Sequence, residues 1–342
     1  MHKIIKGLTE PELIKNKLKF KLKSYIYFNY AVSGAYWTGN IGDRAIAHSF
    51  KKEGANRGDK IGLFPSNVGK TNSDMHILGG GGILRDCREA ASGNDPKTLR
   101  THLNWLSKAD DSAIIGVGVP GFKTREGQEL IRSILPNIDL ITVRDRWSYD
   151  NLRDYYEGNI HVTACPAFML PDPGLPSQGY TGVNFRPWPN YPSDIMSYHF
   201  GFDNIDVDWA KKEYVDNIKK ICSKVINPVF IPFGKEDEHF ANDHLNIDVL
   251  PYEFSVEKTL NRVSRADKMV TMRYHSLIFS AISNTPILAI AYQPKVSQLA
   301  SRLGIQSYNP HEENIPIKFE NAKNTQKLRQ LASKNFSLLK EV

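Results

Sequence analysis

An arginine and a histidine one residue apart stand where a strand-like run becomes a helical one, in Met272-Arg273-Tyr274-His275-Ser276-Leu277-Ile278-Phe279-Ser280-Ala281. Arginine is a permanently charged, forked donor suited to phosphate and carboxylate, and histidine exchanges a proton near neutral pH. The apolar run Lys268 to Met272 predicts a buried strand. A helix is expected from Ser276 to the Asn284-Thr285-Pro286 break, and a second buried strand over Ile287 to Tyr292. The turn of such a unit lies at the carboxyl end of a parallel strand, where open α/β sheets bind ligands. The amino end of the helix adds unpaired N–H groups at Ser276 and Leu277 and a positive dipole. This set can hold an anion and do acid–base chemistry. The alternative is a buried structural histidine beside a surface arginine.

Three more groups invite the same question. Gly39, Asn40 and Gly42 precede Asp43 in a turn-rich loop between an expected strand (Tyr25 to Tyr30) and an expected helix. Asp43 could cap that helix or present a carboxylate to a cleft. Met75 to Leu78 reads as a strand running into Gly79-Gly80-Gly81-Gly82, with Asp86 within a turn. Four glycines there suit a sharp bend or the close approach of a ligand. Arg186 follows the strand expected over Tyr180 to Phe185. Its carboxyl end should open on the same edge as that of the Lys268 strand, so Arg186, Arg273 and His275 could converge on one anion. The competing role for Arg186 is stacking on Trp188.

Other motifs fail on inspection. Gly116 to Gly121 spells GxGxxG, but Pro120 interrupts it and no helical pattern opens at the third glycine. Gly69-Lys70-Thr71 lacks the first glycine of a phosphate loop, since position 64 is Phe. Asp206-Val207-Asp208 is a DxD, but Asp208 is also placed to cap the following helix. No His/Cys/Asp/Glu group has metal-ligand spacing, so no metal site is expected.

Alternating buried strands and helices over residues 25–165, and again from Tyr180, predict an α/β protein with two parallel-sheet domains. The Pro- and Gly-rich stretch Pro166 to Gly182 is the expected linker. The expected divisions are a basic leader at 1–24, an N-terminal domain at 25–175, a C-terminal domain at 176–310, and a final helical segment at 311–342 that could pack back on the first domain. The net charge of +7 is concentrated in the leader, which holds seven lysines against Glu10 and Glu12. The rest of the chain is close to neutral, which argues against a nucleic-acid partner. The leader also carries Leu13, Ile14, Leu18, Phe20 and Leu22. It could lie on an anionic membrane surface or form a solvated first helix. No apolar run is long enough to span a bilayer. Three dispersed cysteines (Cys87, Cys165, Cys222) and the lack of a signal-peptide pattern fit a reducing cytoplasm.

The order of these motifs resembles the polysaccharide pyruvyl transferase family. The resemblance rests on Gly39-Asn40-Ile41-Gly42-Asp43, Gly79 to Leu84, Gly116 to Gly121, Val143-Arg144-Asp145, Cys165-Pro166-Ala167-Phe168, Gly182 to Arg186 and Arg273 to Phe279, over residues 25–305. It departs from the family pattern at Cys165, where that pattern has Asp before Pro-Ala. The resemblance implies two Rossmann-like domains facing a cleft, similar to the GT-B glycosyltransferases. It implies phosphoenolpyruvate as co-substrate with no other cofactor, and two hydroxyls of a sugar, in a polysaccharide or lipid-linked precursor, as acceptor. The product is a cyclic pyruvate ketal. On that reading Arg186, Arg273, His275, Ser276 and Leu277 hold the donor, and His275 is the acid or steadies the leaving phosphate. Gly39, Asn40, Gly42, Asp43, Gly80, Gly81 and Asp86 lie on the acceptor side, with Asp43 also catalytic. A nucleotide-sugar glycosyltransferase and a non-catalytic saccharide-binding protein are the alternatives the same fold would serve.

Overall fold

The computed structural model describes residues 10–86, 96–189 and 205–342. The first nine residues of the basic leader and Cys87 lie outside the described residues. After helix α1 (Glu10–Lys23) the first sheet is assembled from six parallel strands: β1 (Phe28–Ser33), β2 (Ile61–Phe64), β3 (Ser73–Gly79), β4 (Asp111–Val117), β5 (Leu140–Val143) and β6 (His161–Val162). Their order across the sheet is β2-β1-β3-β4-β5-β6. The second sheet holds β7 (Thr181–Asn184), β8 (Pro228–Phe230), β9 (Asp248–Val249), β10 (Lys268–Thr271), β11 (Ile287–Ile290) and β12 (Ser307–Tyr308), ordered β12-β11-β10-β7-β8-β9. Each sheet therefore reverses its direction of growth once, between β1 and β3 in the first and between β7 and β10 in the second. These reversals are the crevices where helices leave opposite faces and room remains for a ligand.

Register decides what lines the second crevice. Thr271 of β10 pairs with Asn184 of β7. Arg273 and Arg186 thus each stand two residues past a paired position, on adjacent strands. Thr271 also pairs with Ala289 of β11, which brings the residues after Ile290 to the same edge. In the first sheet the loops after β1 and β3 flank the crevice. They lead into helix α2 (Ile41–Arg57) and into the glycine run. Asn40 caps α2, its side chain accepting from Gly42 N at 2.9 Å, and Gly58 ends it with φ +80°.

The first sheet is further flanked by α3 (Lys97–Leu106), α4 (Arg125–Ile134) and α5 (Arg146–Arg153). Around the second lie α6 (Val207–Lys224), α7 (Lys235–His244), α8 (Val256–Ser264), α9 (Tyr274–Ile282) and α10 (Pro294–Leu303). The last helix, α11 (Thr325–Leu338), returns to the first sheet. There the buried Asn335 accepts from Thr142 Oγ1 at 2.6 Å and Thr163 Oγ1 at 2.7 Å, and donates to the Ala164 carbonyl. Phe336 meets Phe50 edge-on.

Several boundaries differ from the sequence reading. The first strand begins at Phe28 rather than Tyr25, and Tyr25 to Tyr27 are exposed. Asp206, not Asp208, caps α6, because its carboxylate reaches both Asp208 N and Trp209 N. Helix α9 starts at Tyr274, two residues early, with Arg273 as its capping position. Helix α7 has no sequence signature: Lys-Glu-Asp-Glu-His-Phe-Ala-Asn-Asp-His carries too few apolar residues to show a helical stripe.

Candidate active site between the two sheets

Arg273 is buried and clamped inside its own domain. Its Nε and Nη2 donate to Asp237 Oδ2 and Oδ1 at 2.7 and 2.6 Å, and Nη2 also reaches Glu236 Oε1. Asp237 is fully buried in the first turn of α7 and also accepts from Phe233 N at 3.0 Å. The two carboxylates use much of the guanidinium fork. Arg273 therefore orients the crevice and contributes charge more than it offers free donors. The side chain of Asn184 completes the brace, accepting from Arg273 N and donating to the Ile231 carbonyl.

The early start of α9 also corrects the expected N–H donors. Leu277 N already donates to the Arg273 carbonyl, so it belongs to the helix and is not open to a ligand. The Ser276 side chain is buried and its hydroxyl bonds the same carbonyl. Among first-turn amides, those ahead of Leu277 remain at the helix end.

His275 is where the halves meet. A Cβ placed on Gly42 would overlap Nδ1 and Cγ of the His275 ring, so the first turn of α2 lies directly on the imidazole. Ile41 N donates to the Phe233 carbonyl at 2.9 Å, and the Tyr252 hydroxyl donates to the Gly39 carbonyl. Asn40 and Gly42 are thus explained by capping and close packing, and Gly39 by its positive φ and this inter-domain bond. Gly80 and Gly81 adopt φ of +64° and +80°. Gly80 N donates to Ile115 O, and Gly118 N donates to Gly81 O. That fold brings Gly81 against the Asp43 carboxylate: a Cβ at 81 would sit 3.1 Å from Oδ1. Asp86 is elsewhere. Its two oxygens accept from Lys123 N, Thr124 N and Thr124 Oγ1, so it braces the entry to α4 instead of facing an acceptor.

The electrostatics assign different protonation states. His275 is 7% exposed, and burial together with the charges of Arg144, Lys295 and Arg273 holds its pKa well below the ordinary value. It is a neutral imidazole at physiological pH, able to accept a proton or donate one N–H, so it does not carry the extra proton expected of an acid. Asp43, partly buried at the mouth of the crevice, moves the other way. Loss of water lifts its carboxyl to about 6, against the pull of Lys295, Arg144, Arg85 and Arg273.

Three residues outside the expected site set complete it, one of them, Arg144, from the Val143-Arg144-Asp145 motif. Arg144 follows β5, is 2% exposed, and stacks its guanidinium 4.3 Å from the Tyr274 ring centroid. Its Nε meets Asp145 at 3.2 Å, while Nη2 has no hydrogen-bond partner in the protein. An unpaired buried guanidinium nitrogen is costly, and an anion would satisfy it. Lys295, in the first turn of α10, and Tyr292, just before it, lie beside Arg186, whose Nη1 is 3.2 Å from the Tyr292 hydroxyl. Arg144, Arg186, Arg273 and Lys295 thus reach one crevice from four strand ends of both sheets.

Residues 6–294 match the family model for polysaccharide pyruvyl transferase. The chain belongs to that family. A search of curated protein sequences finds no match. Among solved structures, UDP-GlcNAc 2-epimerase from Methanocaldococcus jannaschii is 11% identical with a TM-score of 0.51, covering 93% of this chain and 100% of its own. A functionally uncharacterised protein from Klebsiella pneumoniae is 15% identical at a TM-score of 0.49, covering 86% and 94%. Sucrose-phosphate synthase from Thermosynechococcus elongatus is 10% identical at a TM-score of 0.45, covering 90% and 89%. Identities this low bear on fold alone. The epimerase likeness and the two parallel six-stranded sheets give the GT-B arrangement of two Rossmann-like domains facing a cleft.

Within this family, the departure at Cys165 now has a physical content. Its Sγ lies 3.5 Å from His275 Nε2. Burial pushes the thiol up to about 12, so it carries no charge. A carboxylate there would have favoured the protonated imidazole; a neutral thiol leaves His275 with cations alone as its charged neighbours.

Proposed function

We propose that this chain transfers pyruvate from phosphoenolpyruvate to two hydroxyls of a sugar, forming a cyclic ketal and releasing phosphate. The observation that carries this reading is the convergence of Arg144, Arg186, Arg273 and Lys295 on one crevice beside Asp43 and a neutral His275. Phosphoenolpyruvate carries a phosphate and a carboxylate on the same carbon, and two anionic groups so close call for several cations at once. Asp43 serves as base toward the acceptor hydroxyl. His275 donates its single N–H to the departing phosphate oxygen, where charge develops.

Calorimetry of phosphoenolpyruvate with wild type and Arg144→Ala tests the donor site. A charged hydrogen bond contributes about 1.5–3 kcal/mol, so the variant should bind roughly tenfold or more weakly. Lys295→Met is a second variant at a less buried position. Wild type that binds UDP or GDP and ignores phosphoenolpyruvate would favour a nucleotide-sugar glycosyltransferase.

The base assignment has a pH consequence. Asp43 is ionised above about 6 and protonated below it. A reaction that needs the carboxylate therefore rises as pH increases through that value, and kcat/KM falls about tenfold per unit below it. Asp43→Asn should leave a low, flat profile on the acid side. A wild-type acid limb that persists unchanged in the variant would remove Asp43 from the role.

We further propose that α1 brings the enzyme to an anionic membrane surface, where a lipid-linked acceptor would reside. Helix α1 is fastened to its domain by Phe20 against Trp37 and by Lys23 Nζ donating to the Leu63 carbonyl. Leu18 and Leu22, at i and i+4, face outward, followed by Tyr25 and Ile26, and all four are more than half exposed. Exposed Lys17, Lys19 and Lys21 run alongside. An apolar ridge flanked by lysines suits the interface of an anionic bilayer. No described helix is long and apolar enough to cross a membrane. The protein should float with vesicles rich in phosphatidylglycerol, and Leu18→Glu with Leu22→Glu should release it. Flotation that survives both changes would count against this surface.

A further inference from the structure

Tyr292 lies three residues past Ala289, the end of the β10–β11 register, and its side chain is 2% exposed. Two cations from separate elements face it. The Arg186 guanidinium, beyond β7, is 4.8 Å from the ring centroid, with Nη1 3.2 Å from the hydroxyl. The Lys295 ammonium, on α10, is 5.2 Å from the centroid and hydrogen-bonds the phenol. Arg273, at the end of β10, adds its field. A phenol packed for bulk gains nothing from neighbours that must themselves be desolvated. Paired cations stabilise the phenolate, and so make the proton easier to give. Burial alone would raise this pKa; Lys295, Arg186 and Arg273 more than offset it and bring it down to about 7. Lys295 is also the first of the cations acting on Asp43, so one ammonium serves both groups.

We propose that Tyr292 is the general acid that protonates C3 of the enolpyruvyl group, an inference that rests on the donor proposed above. The π pair between C2 and C3 takes the Tyr292 hydroxyl proton and becomes a C3–H bond. The first acceptor hydroxyl bonds C2 and loses its proton to Asp43. The second hydroxyl then bonds C2 as the C2–O bond to phosphate breaks. The electron pair leaves with phosphate, which also takes the second hydroxyl proton. Solvent returns the proton held by Asp43 to the phenolate, and the site is reset without oxidant or reductant.

The test uses the whole chain, phosphoenolpyruvate as the probe, and Tyr292→Phe. Wild type should show a near-ultraviolet tyrosinate band around neutral pH that the variant lacks. Saturating phosphoenolpyruvate should abolish the band, because its anionic groups engage the two cations and the phenol takes up a proton. Calorimetry in buffers of different ionisation enthalpy should record that uptake in wild type only, while the variant still binds within about fivefold. With methyl hexosides as acceptors, the variant should lose about 10²-fold or more in kcat, together with the descending limb of the pH profile. A phenol that merely packs would move none of these. If phosphoenolpyruvate binds and the band is absent or unchanged, Tyr292 is not the acid. If phosphoenolpyruvate does not bind wild type, the donor reading itself falls, and this inference with it.

Discussion

Gly42→Ala is expected to lower kcat by about 10²-fold or more while leaving the fold intact, since a displacement of roughly 1 Å in a reacting group can cost that much. Gly42 lies inside α2, where alanine is the better helix former by about 1 kcal/mol. It does not appear among the glycines with positive φ, so the backbone does not oppose the change. The whole penalty falls on the new methyl, which would occupy the space of the His275 ring. Either the imidazole swings away or α2 withdraws from α9, and both separate the two halves of the candidate site. Steady-state kinetics with circular dichroism would check it, with the His275 ring resonances as a local probe. Wild-type turnover in this variant would mean that the close contact of Gly42 with His275 has no bearing on the reaction.

The second large effect concerns stability. Asp237→Ala should destabilise the second domain by about 3–5 kcal/mol, because it strands a buried guanidinium without its main counter-charge. Asp237 is fully buried and holds Arg273 through two bonds of 2.6 and 2.7 Å. Glu236, more exposed, keeps a single contact and cannot replace it. The same substitution removes the acceptor for Phe233 N. Replacing both partners, Arg273→Met with Asp237→Leu, should recover most of the loss, since two apolar groups can fill the space of a buried pair. The double variant should stay inactive. Denaturant midpoints for the three variants decide the matter. An Asp237→Ala midpoint close to wild type would show that the pair is solvated and inessential.

Much of this site is legible from local chemistry. The switch from the Lys268 run to Arg273 and His275 is abrupt enough to mark a strand end, and Arg186 repeats the placement one strand away. What patterning misses depends on distance. Arg144 is followed by an aspartate, like any surface charge pair, until its neighbours across the cleft are known. Lys295 sits at a helix start, where lysine looks solvated, and Tyr292 reads as the last residue of a strand. Helix α7, which supplies the counter-charges to Arg273, is polar almost throughout. Asp86 is illegible for the converse reason: the amides that occupy its oxygens come from residues 123 and 124, far along the chain. The start of α9 is hidden because Tyr274 and His275 carry no capping signal, and a helix begun at Ser276 leaves Leu277 open to a ligand where the true one does not.

The return of α11 to the first sheet has a mechanical side. The polypeptide passes between the halves twice, once between β6 and β7 and again between β12 and α11. One tether would let two bodies swing in any direction. Two tethers favour one direction, rotation about the line that joins them, in the manner of a door on two pins that the bonds from Ile41 N to Phe233 and from Tyr252 to Gly39 hold shut. Arg144 hangs on one leaf and Lys295 on the other, so an anion that touched both would latch that door.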